Sequence, residues 1–77
     1  MRTFALIAAE IQVKWKNVSP YAKPYLDAMA SLFVSDKNAS YYYDDAKSIV
    51  LYFLSNASTW RGEDARRIKA ELKAMIA

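Results

Sequence analysis

The sequence predicts an all-α protein, a compact four-helix single domain that spans residues 1–77. Three observations predict this fold class. Only one glycine and two prolines interrupt the 77 residues, and thirteen residues are alanine, which has the highest helix propensity. Apolar residues recur at spacings of three and four, as one face of a helix requires. The short chain has room for a single hydrophobic core, so we expect no second domain.

The first helix is predicted to run from about Thr3 to Lys16, with Thr3 as its N-cap. Its apolar stripe has helical spacing and consists of Phe4, Ile7, Ala8, Ile11 and Trp15. The segment Asn17–Pro20 ends this helix. Ser19 followed by Pro20 is typical of a new helix start, because serine caps well and the first helical position tolerates proline.

Pro24 interrupts that second start, because a proline at the fifth position removes a backbone hydrogen bond. We therefore expect one loose turn over residues 20–23 and a second helix from about Pro24 to Phe33. Its predicted apolar stripe consists of Leu26, Met29, Ala30 and Phe33. The polar segment of residues 34–39 is predicted to be a loop that separates the two halves of the chain.

Ser40 is the predicted N-cap of the third helix, which places Asp44 and Asp45 in early turns where the helix dipole favours negative charge. The main apolar stripe consists of Ala46, Ile49, Val50, Phe53, Leu54 and Ala57. Leu51 and Tyr52 make this segment apolar nearly all round, so we expect it at the buried centre of the bundle. A strand over the same apolar run is the competing interpretation, but no second strand-like run is present to pair with it.

The last helix has two candidate starts, because Ser58 or Thr59 can cap it, or it begins at Gly62 ahead of two acidic residues. Its apolar stripe consists of Ala65, Ile68, Leu72, Met75 and Ile76. A charge ladder at i, i+4 spacing is predicted on another face, formed by Glu63, Arg67 and Glu71. The residues that we expect to be largely buried in the whole domain are Phe4, Ile11, Leu26, Met29, Ile49, Phe53, Ile68 and Leu72.

The composition argues against catalysis. The chain has no cysteine and no histidine, so it lacks a thiol nucleophile, the commonest general base and the commonest metal ligand. Asp44 and Asp45 are adjacent, and adjacent residues on a helix point about 100° apart, so their carboxylates do not converge. The single glycine cannot build a glycine-rich phosphate loop. We therefore expect a protein that is not an enzyme and that uses no cofactor or metal.

Two segments carry a family resemblance: Pro24–Met29, which reads PYLDAM, and Tyr52–Met75, which reads YFLSNASTWRGEDARRIKAELKAM. Together they resemble small uncharacterised helical proteins encoded by bacteriophages and prophages. The resemblance implies a phage-encoded accessory protein that acts in the cytoplasm of an infected bacterium. It implies no mechanism, and it assigns no catalytic or binding residue.

Basic side chains are concentrated near the C-terminus. Arg66, Lys69 and Lys73 share one helix face, and Trp60 and Arg61 lie at the start of that helix. Aromatic rings beside cations are typical of proteins that bind single-stranded nucleic acid, because bases stack on the rings and phosphates meet the cations. An amphipathic helix with a solvated charged face explains the same residues, and the mild net charge of +3 favours that interpretation.

Aromatic residues are in surplus, at 14% of the chain. Tyr41, Tyr42 and Tyr43 are consecutive, so a single helix face cannot bury all three. Partly exposed tyrosine and tryptophan side chains anchor protein interfaces, because they combine a rigid ring with a polar tip. Capping of the open ends of a small bundle by these rings explains the surplus equally well, and the sequence leaves both interpretations open.

We predict a protein that acts by binding, with a host or phage protein as the favoured partner. Nucleic-acid binding through the basic C-terminal helix is the alternative, and self-association as a structural component is a third. No membrane partner is expected, because the longest apolar run, Ile49–Leu54, is far shorter than the roughly 20 residues of a membrane span. The candidate partner-binding residues are Trp60, Arg61, Arg66, Lys69, Tyr41 and Tyr42. For Trp60 itself, attachment of the last helix to the bundle is the favoured role.

Overall fold

The computed structural model describes all residues, 1–77, and the chain is mostly helical. Four helices and one short pair of strands follow one another in the order α1 (Phe4–Lys14), α2 (Lys23–Met29), β1 (Ser40–Tyr41), β2 (Asp44–Asp45), α3 (Ala46–Ser55) and α4 (Glu63–Ile76). The four predicted helices are present. The stricter prediction of an all-α fold is wrong, because β1 and β2 pair as a small antiparallel sheet.

Helix α1 begins as the sequence predicts, with Thr3 as its N-cap. The Thr3 hydroxyl accepts a hydrogen bond from the backbone N–H of Leu6 at 3.2 Å. Two other backbone N–H groups of this first turn donate to the segment after α2. Phe4 donates to the carbonyl of Val34 at 2.9 Å, and Ala5 donates to that of Leu32 at 2.8 Å. Thus the four donors that a helix start leaves unpaired are largely satisfied within the protein.

Helix α2 is shorter than predicted. A turn over residues 20–22 precedes it, as expected, and the Ser19 carbonyl accepts from the N–H groups of Ala22 and Lys23 at 3.0 Å. The helix ends at Met29 because the chain then turns to offer its carbonyls to the start of α1. Phe33 lies on that crossing segment and is 76% exposed, so the prediction that it belongs to the core is wrong.

Residues 40–45 form a hairpin and not the first turns of a helix. Ser40 pairs with Asp45 across the two strands, and Tyr42 at the tip has a left-handed φ of 56°. Asp45 is the N-cap of α3, because its carboxylate accepts from the N–H of Ser48 at 2.8 Å. The prediction of Ser40 as the N-cap is therefore wrong. Asp45 lies directly before the apolar run, where a cap is effective.

Helix α3 covers the apolar run that the sequence assigns to a helix, and the competing strand is absent. Its inner face is buried and consists of Ala46, Ile49, Val50 and Phe53. The expectation that the helix is buried all round is wrong, because Leu51 and Tyr52 are 45% and 48% exposed. Helices α2 and α4 pack against α3. The protein has no further helix that would cover the outer face of α3.

Helix α4 begins after Gly62, the second of the two predicted starts. Gly62 is the N-cap with a φ of 113°, a conformation that side-chain-bearing residues rarely adopt. All eight predicted core residues are buried, in one cluster that also holds the indole rings of Trp15 and Trp60. No charged or polar residue is buried with them. None of the four helices combines the length and apolar character that crossing a membrane requires.

Candidate interaction surfaces

Acidic side chains of α1 and α4 are engaged in an ion-pair network between these helices. Arg2 donates to Glu10 at 2.7 Å and to Glu71 at 2.5 Å. Arg67 donates to Glu10 at 2.6 Å and to Asp64 at 3.1 Å. The predicted ladder along α4 is therefore wrong: Arg67 and Glu71 pair with residues of the N-terminal segment, because the packing of α1 against α4 brings those partners closer.

The network perturbs the ionisation of its carboxylates. Hydrogen bonds from Arg67 and Arg2 lower the pKa of Glu10 from 4.5 to about 2, because two guanidinium groups favour the charged form. A hydrogen bond from Arg2 likewise lowers the pKa of Glu71. Glu10 and Glu71 form their ion pairs with Arg2 and Arg67. These two carboxylates therefore do not pair with the other basic residues of the protein.

The cations without a side-chain carboxylate within 4.0 Å are Lys16, Lys37, Lys47, Arg61, Arg66, Lys69 and Lys73. Several of them border two adjoining depressions of about 450 and 510 Å³. We name this surface the basic strip. Its polar residues are Lys14, Lys16, Asn17, Ser58, Thr59, Arg61, Arg66 and Lys69, and Trp60 and Arg61 line both depressions. No carboxylate lines either depression.

Trp60 forms the floor of the basic strip. It is only 5% exposed, and its ring stacks on that of Trp15 with centroids 5.5 Å apart and planes 10° apart. Trp15 also contacts Phe53 edge to face at 6.3 Å, which ties the indole pair to the core. This placement agrees with the structural role favoured for Trp60 from the sequence, and it leaves little of the ring for a partner.

Lys69 connects α4 to the end of α3. Its ammonium group donates to the carbonyls of Ala57 and Trp60, both at 2.7 Å. Burial lowers the pKa of Lys69, and the neighbouring charges of Lys73 and Arg61 act in the same direction. Lys69 therefore uses part of its hydrogen-bonding capacity within the fold. Arg61 and Arg66 are exposed and form no ion pair.

The two remaining candidates, Tyr41 and Tyr42, lie on the hairpin and not on the basic strip. Their rings contact each other edge to face at 4.8 Å, and Tyr42 is largely exposed at the tip. No tyrosine lines either depression of the strip. The structure thus groups the four residues around α4 on one surface and places the tyrosine pair elsewhere.

A second surface, which the sequence analysis did not identify, follows the outer face of α3. It is a groove of about 410 Å³ between α3 and α4, lined by Lys47, Leu51, Leu54, Ser55, Lys73 and Ile76. We name it the α3–α4 groove. Three of its six lining residues are apolar, two are lysines and none is acidic. The apolar character of α3 around most of its circumference is the sequence signal for this groove, but the same character also predicts burial within the protein.

Neither surface has the composition of a catalytic or metal centre. No group of three or more histidine, cysteine or acidic side chains is close enough to hold a metal ion. Every buried polar side-chain atom has a hydrogen-bond partner. Comparison of the chain with protein-family models, curated proteins and solved structures finds no match.

Proposed function

We propose that the protein is a non-enzymatic binding protein that holds another protein in the α3–α4 groove. One observation carries the proposal: Leu51, an apolar residue on the outer face of α3, is exposed and lines the groove. A helix that is apolar all round is normally covered on every side. Leu51 is 45% exposed and lines the open groove, and Tyr52 beside it is 48% exposed with its ring against that of Tyr25 at 5.3 Å.

Energetics supports a protein partner at this face. Full burial of a leucine side chain contributes about 1.5–3 kcal/mol relative to full exposure. Leu51 is 45% exposed, so a partner that covers it gains part of this energy. Leu51 and the half-buried Leu54 provide the central contact of an interface, and Lys47 and Lys73 provide its polar border. This is the arrangement in which an amphipathic helix lies in a groove.

The charge of the groove selects the kind of partner. Lys47 and Lys73 have no side-chain carboxylate partner, and no acidic residue lines the groove. A segment with apolar side chains at helical spacing and carboxylates beside them therefore fits best. A second copy of this chain fits poorly, because a two-fold contact through the groove brings the lysines of both copies together. A host or phage protein in the bacterial cytoplasm is the setting that the sequence resemblance implies.

The test is affinity capture from a nuclease-treated bacterial lysate, followed by titration of each purified captured protein. We expect Leu51→Ser to weaken binding by at least about 5-fold, the usual threshold for an energetic contributor. Leu6→Ser is the matched control, because Leu6 is an exposed leucine on α1 at 59% exposure and lies outside the groove. Equal binding by both variants contradicts the proposal.

Sedimentation of the purified protein distinguishes the two kinds of occupant. We expect a monomer for the wild-type chain, because the groove lysines oppose a symmetric contact. A dimer that Leu51→Ser dissociates would show that the groove takes a second copy, and would overturn the proposed heterologous partner.

A further inference from the structure

We propose that the basic strip binds the phosphate backbone of double-stranded nucleic acid without reading its bases. This is a second binding function, at a surface that shares no lining residue with the α3–α4 groove. The proposal depends on three features of the strip: its uncompensated charge, the kind of polar groups beside the cations, and the burial of its aromatic rings.

Four of the five cations of the strip have no carboxylate within 4.0 Å, and the exception is Lys14, which lies 3.9 Å from Asp64. Arg61, Arg66 and Lys16 have no carboxylate partner, and no acidic side chain lines the two depressions. Two of the acids on α4, Asp64 and Glu71, pair with Arg67 and Arg2, which lie outside the strip. A net charge of +3 over the whole chain is therefore distributed unevenly. Guanidinium groups keep their charge at all physiological pH values and match phosphate oxygens in geometry.

The neighbours of these cations favour phosphate over protein. Ser58, Thr59 and Asn17 line the depressions, and hydroxyl and amide side chains are common phosphate contacts beside arginine and lysine. A protein interface instead requires an exposed apolar centre. The apolar residues of the strip are Trp15, Trp60 and Ala65, and all three are buried. The strip therefore offers a partner cations and polar groups alone.

The buried rings also decide between duplex and single strand. Proteins that hold single strands stack exposed bases on aromatic side chains. Trp60 is 5% exposed, Trp15 covers one face of its ring, and the Lys69 ammonium lies 6.0 Å from the ring centroid, so the ring offers no platform for a base. This burial corrects the sequence-based argument for single-strand binding. With backbone contacts alone, a duplex is favoured, because it carries the higher density of phosphate charge.

The test measures fluorescence anisotropy of a labelled DNA duplex of about 20 base pairs, titrated with the purified protein at two salt concentrations. Each phosphate contact contributes about 0.9 to the slope of log affinity against log salt. Two to three contacts predict that affinity falls about 10- to 40-fold between roughly 50 and 200 mM salt. The double variant Arg61→Gln, Arg66→Gln should weaken binding at least about 10-fold at the lower salt and reduce the slope by about 1.8.

The matched control is the double variant Lys23→Gln, Lys37→Gln. It has the same net charge as the arginine variant, and both lysines lie outside the strip and the groove. We expect it to weaken binding by less than about 3-fold, because charges outside the strip are screened over about 14 Å at roughly 50 mM salt. Thermal denaturation of both variants verifies that they fold, and neither variant removes a buried side chain.

Four results would overturn the proposal. The first is that the protein does not bind the duplex at the lower salt, and the second is that the two double variants lose affinity equally. The third is that a single strand of equal length binds more tightly than the duplex. The fourth is that poly-glutamate binds as tightly as the duplex and with the same dependence on Arg61 and Arg66. The last result would assign the strip to an acidic protein. Because the assay uses purified protein and DNA, its outcome does not depend on whether the α3–α4 groove binds a partner.

Discussion

The basic strip and the α3–α4 groove differ in which part of their side chains is buried. In the strip, the indole rings of Trp15 and Trp60 are buried, and the cationic groups of Arg61 and Arg66 are exposed. In the groove, apolar carbon is open to solvent at Leu51, and lysines lie at the border. Both surfaces contain apolar and basic residues, so residue types alone do not distinguish them. The atoms that are exposed indicate the chemistry of a partner. Phosphate suits the strip, and an apolar, acidic protein segment suits the groove.

The largest expected effect concerns the floor of the basic strip. Trp60→Ala should lower the free energy of unfolding by about 3–5 kcal/mol, because it leaves a cavity beside Trp15. Arg61→Ala should change it by no more than about 0.5 kcal/mol, since the side chain is exposed and makes no ion pair. Urea denaturation of both variants measures the difference. Similar losses of stability for Trp60→Ala and Arg61→Ala would mean that Arg61 also stabilises the fold, and that it is not an exposed residue free to bind a partner.

A smaller effect separates the two faces of α3 at adjacent positions. Val50 is fully buried, whereas Leu51 is 45% exposed. Val50→Ala should lower the free energy of unfolding by about 1–3 kcal/mol, because buried methyl groups are removed. Leu51→Ala should cost about 0.5 kcal/mol, as is usual at a partly exposed surface position. If Leu51→Ala costs as much as Val50→Ala in urea denaturation, the outer face of α3 is part of the core and the groove loses its basis.

The smallest expected effect is a pH dependence that belongs to neither surface. The pKa of Glu10 lies near 2 in the folded chain and at an ordinary 4.5 when unpaired. Between these values the unfolded chain binds more protons than the folded one, so stability falls as the pH decreases from 4.5 to 2. In Glu10→Gln this part of the pH dependence should disappear.

Denaturant midpoints measured at several acidic pH values check the slope for Glu10→Gln against wild type. Asp44→Asn serves as the control, because Asp44 forms no ion pair. An unchanged slope in Glu10→Gln would show that the carboxylate is not held by Arg67 and Arg2.

The helices and the core could be predicted from the sequence because they depend on local spacing. Stripes at intervals of three and four residues define the buried faces of α1, α3 and α4, and all eight predicted core residues are buried. The Thr3 cap was likewise visible, since it needs only the residues beside it. The hairpin at residues 40–45 was missed, because Ser40 and Asp45 are both good caps and the choice between them depends on pairing across the turn.

Features that depend on distant partners could not be predicted. The end of α2 is set by carbonyls that the following segment offers to Phe4 and Ala5. Arg67 pairs with Glu10 of α1 as well as with Asp64, and not with the predicted Glu63 and Glu71, because helix packing decides which carboxylates are nearest. For the candidate residues, the sequence places Arg61 just before α4 and Arg66 on that helix, and the structure has both there. It missed the groove, because whether an apolar face is covered depends on the number of neighbouring helices.

The most direct test of the account is a single capture experiment on three forms of the protein. Wild type, Leu51→Ser and the double variant Arg61→Gln, Arg66→Gln are immobilised and exposed to the same bacterial lysate, and captured protein and nucleic acid are measured on the same beads. We expect that Leu51→Ser loses protein and keeps nucleic acid, and that the arginine variant loses nucleic acid and keeps protein. Parallel loss of both in each variant would contradict it, because the two surfaces would then act as one.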